Sequence, residues 1–194
     1  MQTTFTQTTI TECNRLVIKY DYNADSPRES DDVTKLSVSP HRRYDFPNEN
    51  NLSFQDDDEI KTELTNLSST HYIFPIDFYE HSGIAFSLSG KGMQCQFDTS
   101  RGIWYVTVPK SYTYDYSSTE KKTLTYTEQQ ANDMAESTIK EYNAFINGEV
   151  YRYTLHDEQG QEIESCGGLY SFAEIKDNLP TEWQDEDMSK YFID

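Results

Sequence analysis

A nucleophile, a base and an orienting carboxylate can be drawn from this chain in one way: Cys166 in Ser165-Cys166-Gly167-Gly168, His81 in Glu80-His81-Ser82, and Asp98. A cysteine nucleophile needs a histidine to take its proton and a third group to hold the imidazole. Convergence of His81, Asp98 and Cys166 would therefore make a small hydrolase or transferase. None of the local signatures that accompany such chemistry is present: no GxSxG, no HExxH, no phosphate-binding loop and no dinucleotide glycine pattern. The preferred reading is a histidine and a carboxylate that satisfy turn backbone, in a chain that is not an enzyme.

Other chemistry-bearing groups are weaker still. Asp56-Asp57-Asp58-Glu59 suggests calcium, but an EF-hand loop needs glycine at its sixth position, where this chain has Lys61, and a bidentate glutamate at its twelfth. A solvated helix N-terminus suits the run better. Gly90-Lys91-Gly92 is too short to cradle a phosphate and reads as a hairpin turn. Tyr112, Tyr114 and Tyr116 alternate as a base-stacking platform would, yet lack surrounding cations, so an edge strand or protein-contact surface is expected. The three cysteines, Cys13, Cys95 and Cys166, are far apart with no CxxC spacing, which points to reduced thiols rather than a disulfide frame or a zinc site. No metal and no cofactor are expected.

The charge carries more weight than any motif. The 194 residues hold 34 Asp and Glu against 16 Lys and Arg, a net charge of −18. Such a surplus keeps a protein soluble at the cost of self-repulsion and creates a negative field. It excludes direct nucleic-acid binding, which needs a basic stripe; the longest basic runs are the pairs Arg42-Arg43 and Lys121-Lys122. A basic partner is expected. Duplex DNA carries a negative charge about every 1.7 Å of its axis, so a fold that spreads carboxylates similarly can occupy the basic groove of a DNA-binding protein. Apolar stretches such as Ile103 to Val106 fall far short of the roughly 20 residues that span a bilayer. With no signal-like N-terminus, a cytoplasmic location is expected.

The elements that must position these groups read as α+β, a mostly antiparallel sheet packed by one long helix and short helices. Strands are expected at Arg15 to Asp21, Val33 to Val38, His71 to Glu80, Gly83 to Ser89, Gly102 to Pro109, Val150 to Leu155 and Gln161 to Ser165. The long helix covers about 128–147: Thr127 and Gln130 form a capping box, apolar residues recur from Ala131 to Ile146, and Asn147-Gly148 stops it. Ile60, Leu64 and Leu67 mark a short helix behind the acidic run, and Ser171 with Glu174 caps another. One domain with one core is expected over 1–194, with a mobile acidic loop around 47–58 and an acidic C-terminal tail at 181–194.

Several stretches together resemble an uncharacterised family of bacteriophage and prophage proteins. They are Asp25-Ser-Pro-Arg-Glu29 with His41-Arg-Arg-Tyr44, Phe78-Tyr-Glu-His-Ser-Gly-Ile84, Phe97-Asp-Thr99, Gly102-Ile-Trp-Tyr-Val106, Tyr142 to Tyr151, and Glu164-Ser-Cys-Gly167. This chain has Glu80, Phe97 and Gly167 where that family's stretches have Asp, Trp and Trp. The resemblance implies a phage or mobile-element accessory protein acting inside a bacterium. By class analogy it would inhibit a host restriction or CRISPR-type system by stoichiometric binding, as an acidic DNA mimic facing the basic surface of a DNA-binding defence complex. Asp56, Asp57, Asp58, Glu59 and Glu63, together with Glu182, Asp185, Glu186 and Asp187, would supply the charge, with Trp183 anchoring the contact. The remaining alternative is an accessory protein whose acidity confers solubility alone.

Overall fold

Alternation of apolar and polar residues generates most of the strands, and capping residues delimit the helices. The computed structural model describes residues 15–27, 33–37, 43–44, 57–81, 83–118 and 120–193. In chain order the elements are β1 (Arg15–Tyr20), β2 (Lys35–Ser37), α1 (Asp57–Leu67), β3 (His71–Glu80), β4 (Ile84–Leu88), β5 (Thr99–Pro109), β6 (Ser111–Ser117), β7 (Glu120–Thr125), α2 (Glu128–Ile146), β8 (Tyr151–His156), β9 (Glu162–Leu169) and α3 (Phe172–Asn178). Two 3₁₀ turns, Thr181–Trp183 and Met188–Tyr191, follow. The fold is α+β with antiparallel strand pairing, and among the described residues no helix is long and apolar enough to cross a membrane.

The chain divides into two compact units, residues 26–147 and residues 1–25 with 148–194. Where the sequence suggests one core, the described residues form two apolar clusters, one in each unit.

In residues 26–147 the sheet order is β2-β5-β3-β4. Ile76, Phe78, Phe86, Leu88, Trp104, Val106 and Val108 pack with Ala131, Ala135, Ile139 and Tyr142 of α2. Alanine at 131 and 135 lets the helix axis lie close to the sheet. Both halves of the Thr127/Gln130 capping box are formed, which fixes where α2 starts. The helix also protects an edge strand, since a free edge invites pairing with other chains. Asn143 accepts from the Phe86 N–H at 2.8 Å and donates to the Phe86 carbonyl at 2.8 Å, while Asn147 donates to Ile84 O at 3.1 Å.

A register shift between β3 and β5 at Ile76/Asp77 accompanies an internal carboxylate. Asp77 is 1% exposed and accepts from Ser89 Oγ at 2.7 Å, Gly90 N–H at 3.0 Å and Gln94 Nε2 at 3.2 Å. Gly90 sits at φ +82°, a left-handed backbone that glycine adopts without strain. The segment 90–92 is a turn, as expected, but not a hairpin turn: the next strand, β5, pairs with β3 rather than β4. β6 and β7 form a separate two-stranded ribbon, and β7 has no counterpart in the sequence reading.

In the other unit β1, β8 and β9 form a sheet in that order, and Phe192 bridges to Ile18 along the second edge of β1. Leu16, Ile18, Tyr153 and Leu155 point to one face, where Leu169, Ile175, Leu179, Trp183 and Met188 cover them. The expected acidic tail is therefore a packed segment over residues 181–193. Of the expected acidic loop, residues 47–56 lie outside the described residues, while Asp57 and Asp58 begin α1.

Candidate functional site

The acidic residues singled out from the sequence fall in two places. Asp56 lies outside the described residues, and Asp57, Asp58 and Glu59 occupy the first turn of α1, where carboxylates are favoured by the helix dipole. Glu63 is half-buried on the same helix. Burial raises the Tyr105 phenol above its ordinary value against a hydrogen bond with Ser37, and the Glu63 charge adds to the rise.

The second group, 182–187, is held firmly. Trp183 is 5% exposed and meets Tyr191 edge-on with ring centroids 5.4 Å apart; Met188 is buried beside it. This corrects the expectation that Trp183 anchors a partner: its indole belongs to the core because an aromatic ring gains most by burial there. Gln184 Nε2 donates to Lys176 O at 2.7 Å and to Leu179 O at 3.2 Å, tying the segment to the end of α3. Asp187 caps the last 3₁₀ turn, accepting from Ser189 Oγ at 2.7 Å and Ser189 N–H at 3.1 Å. Those two bonds, with the nearby charges of Lys190 and Lys176, hold its carboxyl below the ordinary aspartate value. Glu186 is half-buried and accepts from Tyr191 Oη at 3.1 Å. Glu182, Asp185 and Asp187 remain exposed on this clamped segment.

Of the candidate catalytic residues, His81 and Asp98 lie in residues 26–147 and Cys166 in the other unit. His81 Nδ1 lies 3.6 Å from Asp98 Oδ2, so those two do meet. The thiol on the same oxygen is Cys95, whose Sγ donates to Asp98 Oδ2 at 3.0 Å. Thiol and imidazole thus approach the same carboxylate oxygen. Cys166 is in the other unit, on β9, packed against the core cluster of Leu16, Ile18 and Tyr153. Cys95 and Cys166 are free thiols, and among the described residues no group of three or more His, Cys, Asp or Glu could hold a metal ion. Ser82 and Cys13 lie outside the described residues.

The tyrosine series lies on β6. Tyr112 and Tyr114 stack with centroids 6.2 Å apart, and Lys122 Nζ sits 3.1 Å from the centroid of Tyr116. A cation does therefore accompany these rings, brought by β7 through the Tyr114↔Lys122 register.

Sequence reasoning missed a basic cleft on the sheet of residues 1–25 and 148–194. It measures about 420 Å³ and is lined by Arg15, Val17, Lys19, Arg152, Thr154, His156, Glu162 and Ile193. The signal was present as two alternating triplets, Arg15-x-Val17-x-Lys19 and Arg152-x-Thr154-x-His156. Their pairing across more than a hundred residues of chain was not visible. Comparison with protein families, curated proteins and solved structures finds no match to this chain.

Proposed function

We propose that this chain is a phage or mobile-element accessory protein that inhibits a host DNA-binding defence complex by stoichiometric binding, presenting carboxylates where that complex expects phosphates. The observation that carries the reading is the clamped acidic segment: Trp183 and Met188 are buried while Glu182, Asp185 and Asp187 face solvent in a chain of net charge −18. Charges fixed before encounter lose little conformational freedom on binding, and their field speeds association. The sequence resemblance to phage and prophage proteins supplies the setting.

The test is displacement of a labelled DNA duplex from purified restriction and CRISPR complexes of the bacterial host. Wild-type protein is expected to displace the duplex at about one molecule per binding site, less well as salt rises. The exposed double variant Glu182→Gln, Asp185→Asn should need about tenfold more protein. A duplex that stays bound at every ratio, or a variant that displaces it as well as wild type, would sink the proposal.

A further inference from the structure

The outward face of the sheet in residues 1–25 and 148–194 breaks two rules that ordinary sheets obey. Side chains alternate along each strand, so with Leu16, Ile18, Tyr153 and Leu155 committed to the core, Arg15, Val17 and Lys19 of β1 and Arg152, Thr154 and His156 of β8 all face the other way. The antiparallel register sets Arg15 opposite His156, Val17 opposite Thr154 and Lys19 opposite Arg152. Like charges directly opposed across two strands destabilise a sheet. The second irregularity is that, among the described residues, no carboxylate lies within 4.0 Å of Arg15, Lys19 or Arg152 in an ion pair. This unit carries fifteen Asp and Glu but five Lys and Arg, and three of those five line this one cleft. Glu162, the carboxylate on its wall, accepts a hydrogen bond from Ser165 Oγ at 2.8 Å. His156 Nδ1 lies 3.4 Å from the Arg15 carbonyl, which ties its ring to the neighbouring strand.

We propose that this cleft is a binding site for a small organic molecule bearing two phosphoryl groups. Arg15 and His156 take one group and Lys19 and Arg152 the other, with the Val17–Thr154 rung beneath the part that joins them. Four residues of strand separate the two ends by about 13 Å at the backbone, and the long side chains can converge from there. Guanidinium groups at both ends suit the planar, two-point recognition of phosphoryl oxygens, and paired donors at each end match a dianion better than a carboxylate. A compact ligand is favoured over a polymer because a long polyanion leaving the cleft would run onto the surrounding acidic surface.

Calorimetric titration of the full chain at low ionic strength tests this with fructose bisphosphate, inorganic phosphate and a single-stranded oligonucleotide as probes. The bisphosphate is expected to bind once per chain and at least about tenfold more tightly than inorganic phosphate, which reaches only one end. Arg152→Gln and Lys19→Gln should each weaken it by about tenfold, Arg152→Lys by less, because the charge survives but the fork does not. Lys190→Gln, outside the cleft, should change affinity less than about twofold. These side chains are exposed, so the variants should keep the wild-type circular dichroism spectrum. Equal affinity for the two phosphate probes, no effect of Arg152→Gln, an equal loss in Lys190→Gln, or tighter binding of the oligonucleotide would each overturn the proposal.

Discussion

The two units both build antiparallel sheets but differ in how far their cations find acidic partners. In residues 26–147 four cations have acidic partners: Lys91 pairs with Glu136, Arg43 with Glu80 at 2.6 Å, Lys121 with Asp115 at 3.5 Å, and Arg101 with Asp77 at 3.8 Å, while Lys110 donates to Ser68 O and Lys122 lies over Tyr116. In the other unit no ion pair forms among the described residues, although acids outnumber bases there three to one. Its positive charges gather on the open sheet face, and the exposed acids include the clamped 182–187 segment. The contrast separates charge that serves the fold from charge kept available for something else. Surface ion pairs add little stability, so the four pairs in residues 26–147 mainly give those cations an acidic neighbour. Leaving three cations unpaired on one face gives up that neutralisation, and such violations of local rules mark sites of function.

The comparison can be broken most forcefully at Trp183. Trp183→Ala is expected to cost about 3–5 kcal/mol and to release the acidic segment. Hydrogen exchange followed by mass spectrometry should show lost protection concentrated in peptides from 151–193. Equal loss in peptides from 71–146 would mean that the two apolar clusters open as one cooperative structure.

In residues 26–147 the internal group is Asp77, the one buried carboxylate among the described residues. Asp77→Ala leaves the Ser89, Gly90 and Gln94 donors without their acceptor and should lower the urea-unfolding free energy by about 3 kcal/mol. Burial alone would raise this carboxyl, but the bonds from Ser89, Gly90 and Gln94 and the Arg101 charge outweigh it and hold Asp77 below the ordinary aspartate value. A lowered folded-state value means that the unfolded chain binds the proton more readily. The stabilisation is then present above the ordinary carboxylate range and is lost as pH falls through the lowered folded-state value. Wild type should lose stability on acidification more steeply than Asp77→Ala does; parallel curves would show that Asp77 makes no such contribution.

The smallest effect is local. Thr127→Ala removes one half of the α2 capping box and should cost about 1 kcal/mol, read as a lower urea midpoint of the helical circular dichroism signal. An unchanged midpoint would show that sheet packing, not the cap, sets where α2 begins.

What the amino-acid sequence determined by itself is whatever depends on neighbours a few residues apart. Thr127, Gln130 and Asn147-Gly148 delimit α2, Ser171 and Glu174 start α3, and the Asp157 to Gly160 turn joins β8 to β9, because caps and turns are satisfied within one turn of chain. The net charge follows from composition alone. Tertiary structure alone decided which side each residue serves. Cys95 reached Asp98 within residues 26–147, and the Cys166 thiol of β9 was drawn to the core face of its own sheet. Trp183, flanked by acids, turned inward because burying an indole outweighs its polar surroundings. The basic cleft exists only because β1 pairs with β8, and that register follows from burying Leu16 and Ile18 with Tyr153 and Leu155. A shift of one residue would carry those four apolar side chains into water, so the non-local core sets the register and the cations come into line as its consequence.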